Sequence, residues 1–221
     1  MTSSKVGLVG DRLRPMWDFD DLEGSKQRFQ ALLDEETTDT GRAEVLTQLA
    51  RVEGLEERYA DGDRLLDEAA ALAGSDPLVR ARVDLERGRL RNSSGDREAA
   101  LPLFEAAFDA ALTIPHEFIA VDAAHMAAIA AADLPARIAW ADRGIAIAEA
   151  SDDPTVAYWL GSLFNNIGWD YFDAADYHTA LDWFQRALVE RERRPDEPER
   201  IQHAREAVEE ARGMLDQTQE G

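Results

Sequence analysis

The stretch Arg80 to Arg91, RARVDLERGRLR, sets five arginines against two acids in a chain whose 45 acidic residues far outnumber its 24 basic ones. Arg82 and Arg89 are seven residues apart, so a helix carries them on one face. A guanidinium is a flat, permanently charged fork that matches carboxylate or phosphate, and two on one face could bind an anion. The same residues admit a plainer role. Asp84 lies four residues from Arg80 and Glu86 four from Arg82, and such exposed helical pairs are worth about 0.2–0.5 kcal/mol each. Further on, Asp122 and His125 are one helical turn apart. A carboxylate there could fix the imidazole tautomer and raise its pKa, giving a third cation, or it could be a structural partner only.

Little else in the chain offers chemistry. His116, His125, His178 and His203 form no metal-ligand spacing, and His116-Glu117 lacks a second histidine where a zinc peptidase needs one. There is no G-x-S-x-G, P-loop or dinucleotide fingerprint, so the expectation is a protein that is not an enzyme and holds no metal or cofactor. With no cysteine, disulfides and thiolate metal sites are excluded. The formal net charge of −21 should repel phosphate backbones, arguing against a nucleic-acid partner. It favours solubility and could attract a basic partner, although most of the carboxylates are expected on solvated helix faces. The opening MTSSKVGLVGDRLRPMW lacks the apolar run of a signal peptide, and no stretch is suited to spanning a bilayer. These features imply a cytoplasmic protein with no membrane partner.

The elements that must position these residues are helices. Apolar residues make up 45% of the chain and recur at spacings of three and four, without the alternation of strands. Glycine and proline punctuate them at Gly74 to Pro77, Gly95, Pro115, Pro135, Pro154 and Pro195 to Pro198. Asp20 and Glu23 have the spacing of a capping box ahead of a helix holding Phe29, Leu32 and Leu33. Ile201, Ala204, Val208, Ala211 and Leu215 make one apolar stripe on an otherwise polar terminal helix.

Phe164, Ile167, Gly168, Tyr171, Ala180, Phe184 and Ala187 are spaced by 3, 1, 3, 9, 4 and 3 residues. This resembles the tetratricopeptide repeat, a pair of helices whose pattern is W-x2-L-G-x2-Y, then Ala, Phe and Pro. Phe164 stands in the Trp slot and Ile167 in the Leu slot. A second copy is displaced by 80 residues, at Gly88, Ala100, Phe104 and Ala107, but Asp84, Arg87 and Arg91 replace its Trp, Leu and Tyr. A looser copy includes Leu46, Ala50, Tyr59, Gly62 and Ala69, and a degenerate one runs from Phe118 to Ala150. The resemblance implies an all-α, right-handed solenoid of antiparallel helix pairs, with repeats near 43–76, 81–114, 118–151 and 161–194. Residues 1–21 would be an N-terminal extension, 22–221 a single domain, and 198–217 a capping helix.

In this family the first helix of each pair lines a concave groove. Counting from the repeat glycines, the groove slots imply ligand contacts from Arg51, Arg82, Arg89, Asp122, Asn165 and Trp169, with His125 adjacent. The expected function is a non-enzymatic adaptor or sensor that holds a protein or peptide segment. The other reading is a closed pocket for a small anionic ligand using Arg82, Arg89 and His125, and a third, ranked last, is an enzyme in that same pocket. The sequence is silent on oligomeric state.

Overall fold

A computed structural model describes residues 11–220, with side chains to residue 218. The described residues are helical or irregular, without strands. The chain divides into two compact units, and the boundary, between Met126 and Ala127, falls inside one helix. The first unit contains a 3-10 turn at Arg14–Met16 and helices α1 (Leu22–Glu35), α2 (Asp39–Leu55), α3 (Tyr59–Ala73), α4 (Pro77–Ser93), α5 (Arg97–Thr113) and most of α6 (Glu117–Ala130). The second contains the end of α6, then α7 (Leu134–Ala150), the short α8 (Pro154–Ala157), α9 (Leu160–Asp173), α10 (Tyr177–Glu192) and α11 (Pro198–Glu220).

Helix starts are set locally. Aspartates cap α1, α4, α5, α7, α8 and α10: the side chains of Asp21, Asp76, Asp96, Asp133, Asp153 and Asp176 each accept a backbone N–H from the first turn. Thr38 does the same for α2. The cap of α1 is Asp21, accepting from Gly24, not Asp20. Only Asp20 has a glutamate three residues on, but Asp21 stands directly before the first helical residue, while the Asp20 N–H is bonded to the Asp18 Oδ1 at 3.0 Å.

Helix ends recur too. The N–H groups of Arg58, Asp96 and Asp176 reach back to the carbonyls of Glu53, Arg91 and Tyr171 at 2.8–2.9 Å, the six-to-one bond of a Schellman closure. In each case the preceding residue has positive φ: Glu57 at 61°, Gly95 at 91° and Ala175 at 59°. The turns joining α2 to α3, α4 to α5 and α9 to α10 are therefore built alike, and each sends the chain back along its partner helix.

Within the first unit α2 packs on α1, α3 and α4, and α4 on α3 and α5. Because α2 is enclosed by three neighbours, Ala43, Val45, Leu46, Leu49, Ala50 and Val52 are all buried, on more than one face. Close helix approach depends on missing side chains. A Cβ on Gly88 would lie 2.5 Å from the Phe104 ring, and one on Gly168 would lie 2.5 Å from the Phe184 ring. In the second unit α9 packs on α7 and α10, and α11 covers α10. Ala204, Val208 and Ala211 are buried there, the latter two in a cluster with Ala180 and Phe184. The expected terminal stripe thus faces the last helix pair, with Ile201 and Leu215 half-buried at its ends.

Candidate functional site

The first unit gathers polar side chains from the first helices of its pairs. Glu44, Gln48 and Arg51 follow i, i+4, i+7 spacing on α2, and Arg82, Glu86 and Arg89 follow the same spacing on α4. Each row lies on one face of its helix. Asp122 and His125 join from α6. Glu44, Gln48, Arg82, Glu86 and Asp122 are all under 9% exposed, so these are four charges and an amide on an enclosed face that must find partners.

They find them across the fold. The Arg82 fork donates to both carboxylate oxygens of Asp11, each at 3.0 Å, and its Nε lies 3.3 Å from Glu44. Glu44 also lies 3.4 Å from Arg12, which donates to Glu36 at 2.6 Å. Arg89 Nε sits 3.1 Å from Glu86, and its Nη2 donates to Asp122. Arg51 Nη1 lies 3.8 Å from the other oxygen of Glu86. Burial favours the neutral form of Asp11, but the charge and hydrogen bonds of Arg82, with the N–H of Leu13, outweigh it and hold the carboxyl below its usual range. For Glu86 burial wins over Arg89 and Arg51, and Asp122 adds repulsion, so its pKa is raised.

Two expectations change here. The i, i+4 neighbour Glu86 is not the carboxylate that engages Arg82, and both guanidinium forks of the suggested anion site are filled by the protein's own carboxylates. On Arg82 both terminal nitrogens of the fork are taken by Asp11. His125 is also not a cation at neutral pH. Asp122 favours its charged form, but burial dominates, assisted by repulsion from Arg89 and Arg51, and its pKa falls to about 4. Residues Arg87 and Arg91, which interrupt the second repeat pattern, cross to α3: Arg87 to Asp67 at 2.6 Å, and Arg91 by two bonds to Asp63 at 2.9 and 3.0 Å. They replace apolar interhelical filling with ion pairs.

The face is covered by the segment that precedes α1. Residues 1–10 of the expected extension lie outside the described residues, but Asp11 to Phe19 pack on α2 and α4. Asp11 enters the Arg82 fork. Leu13 is 1% exposed in the core of this unit. Trp17 Nε1 donates to Gln48 Oε1 at 2.8 Å, and its ring stacks on Phe19 at 4.9 Å, 5° from parallel. The Arg51 guanidinium lies 5.3 Å from each of these two rings, within reach of cation–π attraction. On the outer side, Arg28 donates to the Met16 carbonyl and Ser25 to that of Asp18, both at 2.8 Å.

Five of the expected site residues, Arg51, Arg82, Arg89, Asp122 and His125, therefore belong to one cluster. Asn165 and Trp169 lie in the second unit. Trp169 meets Phe184 at 4.9 Å and Phe172 at 5.2 Å, both edge-on, and is partly buried as packing. Asn165 is half-buried on α9. Glu44 and Gln48 were not anticipated, and Glu86 was expected only as a local partner of Arg82, although the polar spacing 44, 48, 51 recurs at 82, 86, 89, offset by 38 residues. Asp11 and Trp17 carried no local signal.

No group of histidine, aspartate and glutamate side chains among the described residues could hold a metal ion. No described helix is long and apolar enough to cross a membrane.

No protein-family model and no curated protein matches the chain. Among solved structures, BtubC (BKLC) from P. vanneervenii is similar, with a TM-score of 0.61 and 15% identity over 95% of this chain and 93% of that one. At this identity the likeness concerns the fold alone.

Proposed function

We propose that the chain is a tetratricopeptide-type, non-enzymatic adaptor that binds a peptide or protein segment on the inner face of its first helices. The observation that carries this reading is the peptide already lying there. Asp11 to Phe19 are held by a bidentate fork on Asp11, an amide contact to Trp17 and a guanidinium beside two rings. These are the contacts by which a groove selects side chains of a short segment. The recurring turns and the glycine–phenylalanine crossings support the tetratricopeptide assignment. The partner in this reading is proteinaceous and cytoplasmic, and the acidic surface disfavours nucleic acid. The small-anion reading is weaker, since carboxylates already fill the forks of Arg82 and Arg89.

The test is capture from native lysate on the immobilised full-length protein, in parallel with an Arg51→Glu variant of equal helicity. A partner kept by the first and lost by the second supports binding at this face. Identical sets of captured proteins would place the interaction elsewhere.

A further inference from the structure

We infer that Asp11 to Phe19 is a resident ligand of the α2/α4 face, and that the external partner is a segment of the same chemistry: a carboxylate, an apolar residue two positions on, and a tryptophan four beyond that. This deepens the function proposed above and rests on it. Three relationships define the match. The carboxylate of Asp11 fills the Arg82 fork at 3.0 Å on both arms. Leu13 fills an apolar hole beside it. Trp17 places its indole N–H on Gln48 and its face near Arg51.

A mere lid over an apolar core would be built more simply. Replacing a buried ion pair by apolar groups of similar volume is commonly neutral or stabilising, so charge at such a seam is poorly explained by stability. It does explain selectivity. A buried Arg82 rejects any segment that brings no carboxylate, and Gln48 rewards one that brings an indole N–H. The segment is also graded in burial. Asp11 and Leu13 are enclosed, whereas Phe19 is 41% exposed at the outer end. A competing segment can therefore begin at the outer end, where Phe19 is exposed beside Arg51, and proceed inward past the half-buried Trp17 to Arg82. Occupation in cis lowers the apparent affinity of an external segment by the fraction of time the face is free.

The probe is a fluorescent synthetic peptide with the sequence of residues 11–19, DRLRPMWDF. It is titrated into the full-length protein and into an Asp11→Ala/Trp17→Ala variant whose own segment grips poorly. The variant should bind the probe about tenfold or more tightly than the parent, and adding Arg82→Ala should remove about tenfold again, the scale expected for a charge-assisted bond. Equal binding by parent and variant, or a probe indifferent to Arg82, overturns the inference. In that event the adaptor reading still stands or falls on the capture experiment. A variant that does not fold is covered by hydrogen exchange on the unmodified protein. The amides of Leu13 and Trp17, which donate to Asp11 Oδ1 and the Arg14 carbonyl, should exchange through local opening, far faster than those in the middle of α2 and α4. Exchange of all these amides at one common rate would make the segment a permanent part of the core and overturn the inference.

Discussion

Gly168 on α9 faces the ring of Phe184 on α10 so closely that an added Cβ would sit 2.5 Å from two ring carbons. Gly88 and Phe104 repeat the relationship in the first unit, with the same separation in sequence. The ring fills the space where a side chain would stand, and the two helices close to the distance that this allows.

Replacing Gly168 by Leu should therefore destabilise the protein by about 1–3 kcal/mol through overpacking. Denaturant unfolding with a fixed m-value measures it. A variant as stable as the parent would show that the helices can separate at no cost, against the tight crossing.

The turn before α10 makes the opposite prediction. Ala175 sits at φ 59°, in the region where its counterpart Gly95 is free of steric cost. Ala175→Gly should stabilise by about 0.5–1 kcal/mol, the strain relieved exceeding the added freedom of the unfolded chain. A lower melting temperature in this variant would show that Ala175 is not strained there.

For the buried fork, Arg82→Ala leaves Asp11 and Glu44 without their shared guanidinium and should cost about 3–5 kcal/mol. Asp11→Leu combined with Arg82→Met should recover much of that loss. A double-mutant cycle between Asp11 and Arg82 should show strong coupling. Strictly additive single effects would mean that the observed geometry carries no energy.

His125 gives a pH dependence of known sign. Its folded pKa of about 4 lies below the ordinary 6.5, so the unfolded chain takes up a proton first as the pH falls. Its contribution is complete above pH 6.5 and is lost progressively toward pH 4, to a ceiling of about 3 kcal/mol. Between pH 7 and 5.5, where few carboxylates titrate, the parent should lose stability more steeply than His125→Gln. Parallel profiles would show that the imidazole is not held neutral by its surroundings.

What could be read from the sequence was what depends on neighbours in the chain. The spacing of Gly168, Ala180 and Phe184 marks a helix pair, and Ala204, Val208 and Ala211 mark a covered terminal face. Both patterns are local. The partner of Arg82 is not: Asp11 lies 71 residues away, and helical spacing offered Glu86 instead. For His125 the nearby Asp122 was legible, but its effect on the imidazole pKa is overridden by burial, which no linear spacing reports. Trp169, which the repeat resemblance put at a groove slot, packs its ring on Phe172 and Phe184, because adjacent aromatic residues compete for the same space.

The aspartate caps have a consequence for how the chain is assembled and for how it could change. Each of α4, α5, α7 and α10 carries its own start signal in the residue just before it, and the ends of α2, α4 and α9 close by bonds within their own last turn. Boundaries written this locally let a helix pair nucleate without waiting for distant contacts, the situation in which folding is fast. They also make a pair a transferable unit: duplicated or deleted together with its cap and its turn, it would bring along the instructions for its own limits. The fork between Asp11 and Arg82 is the reverse case, a contact that a rearranged chain would have to rediscover.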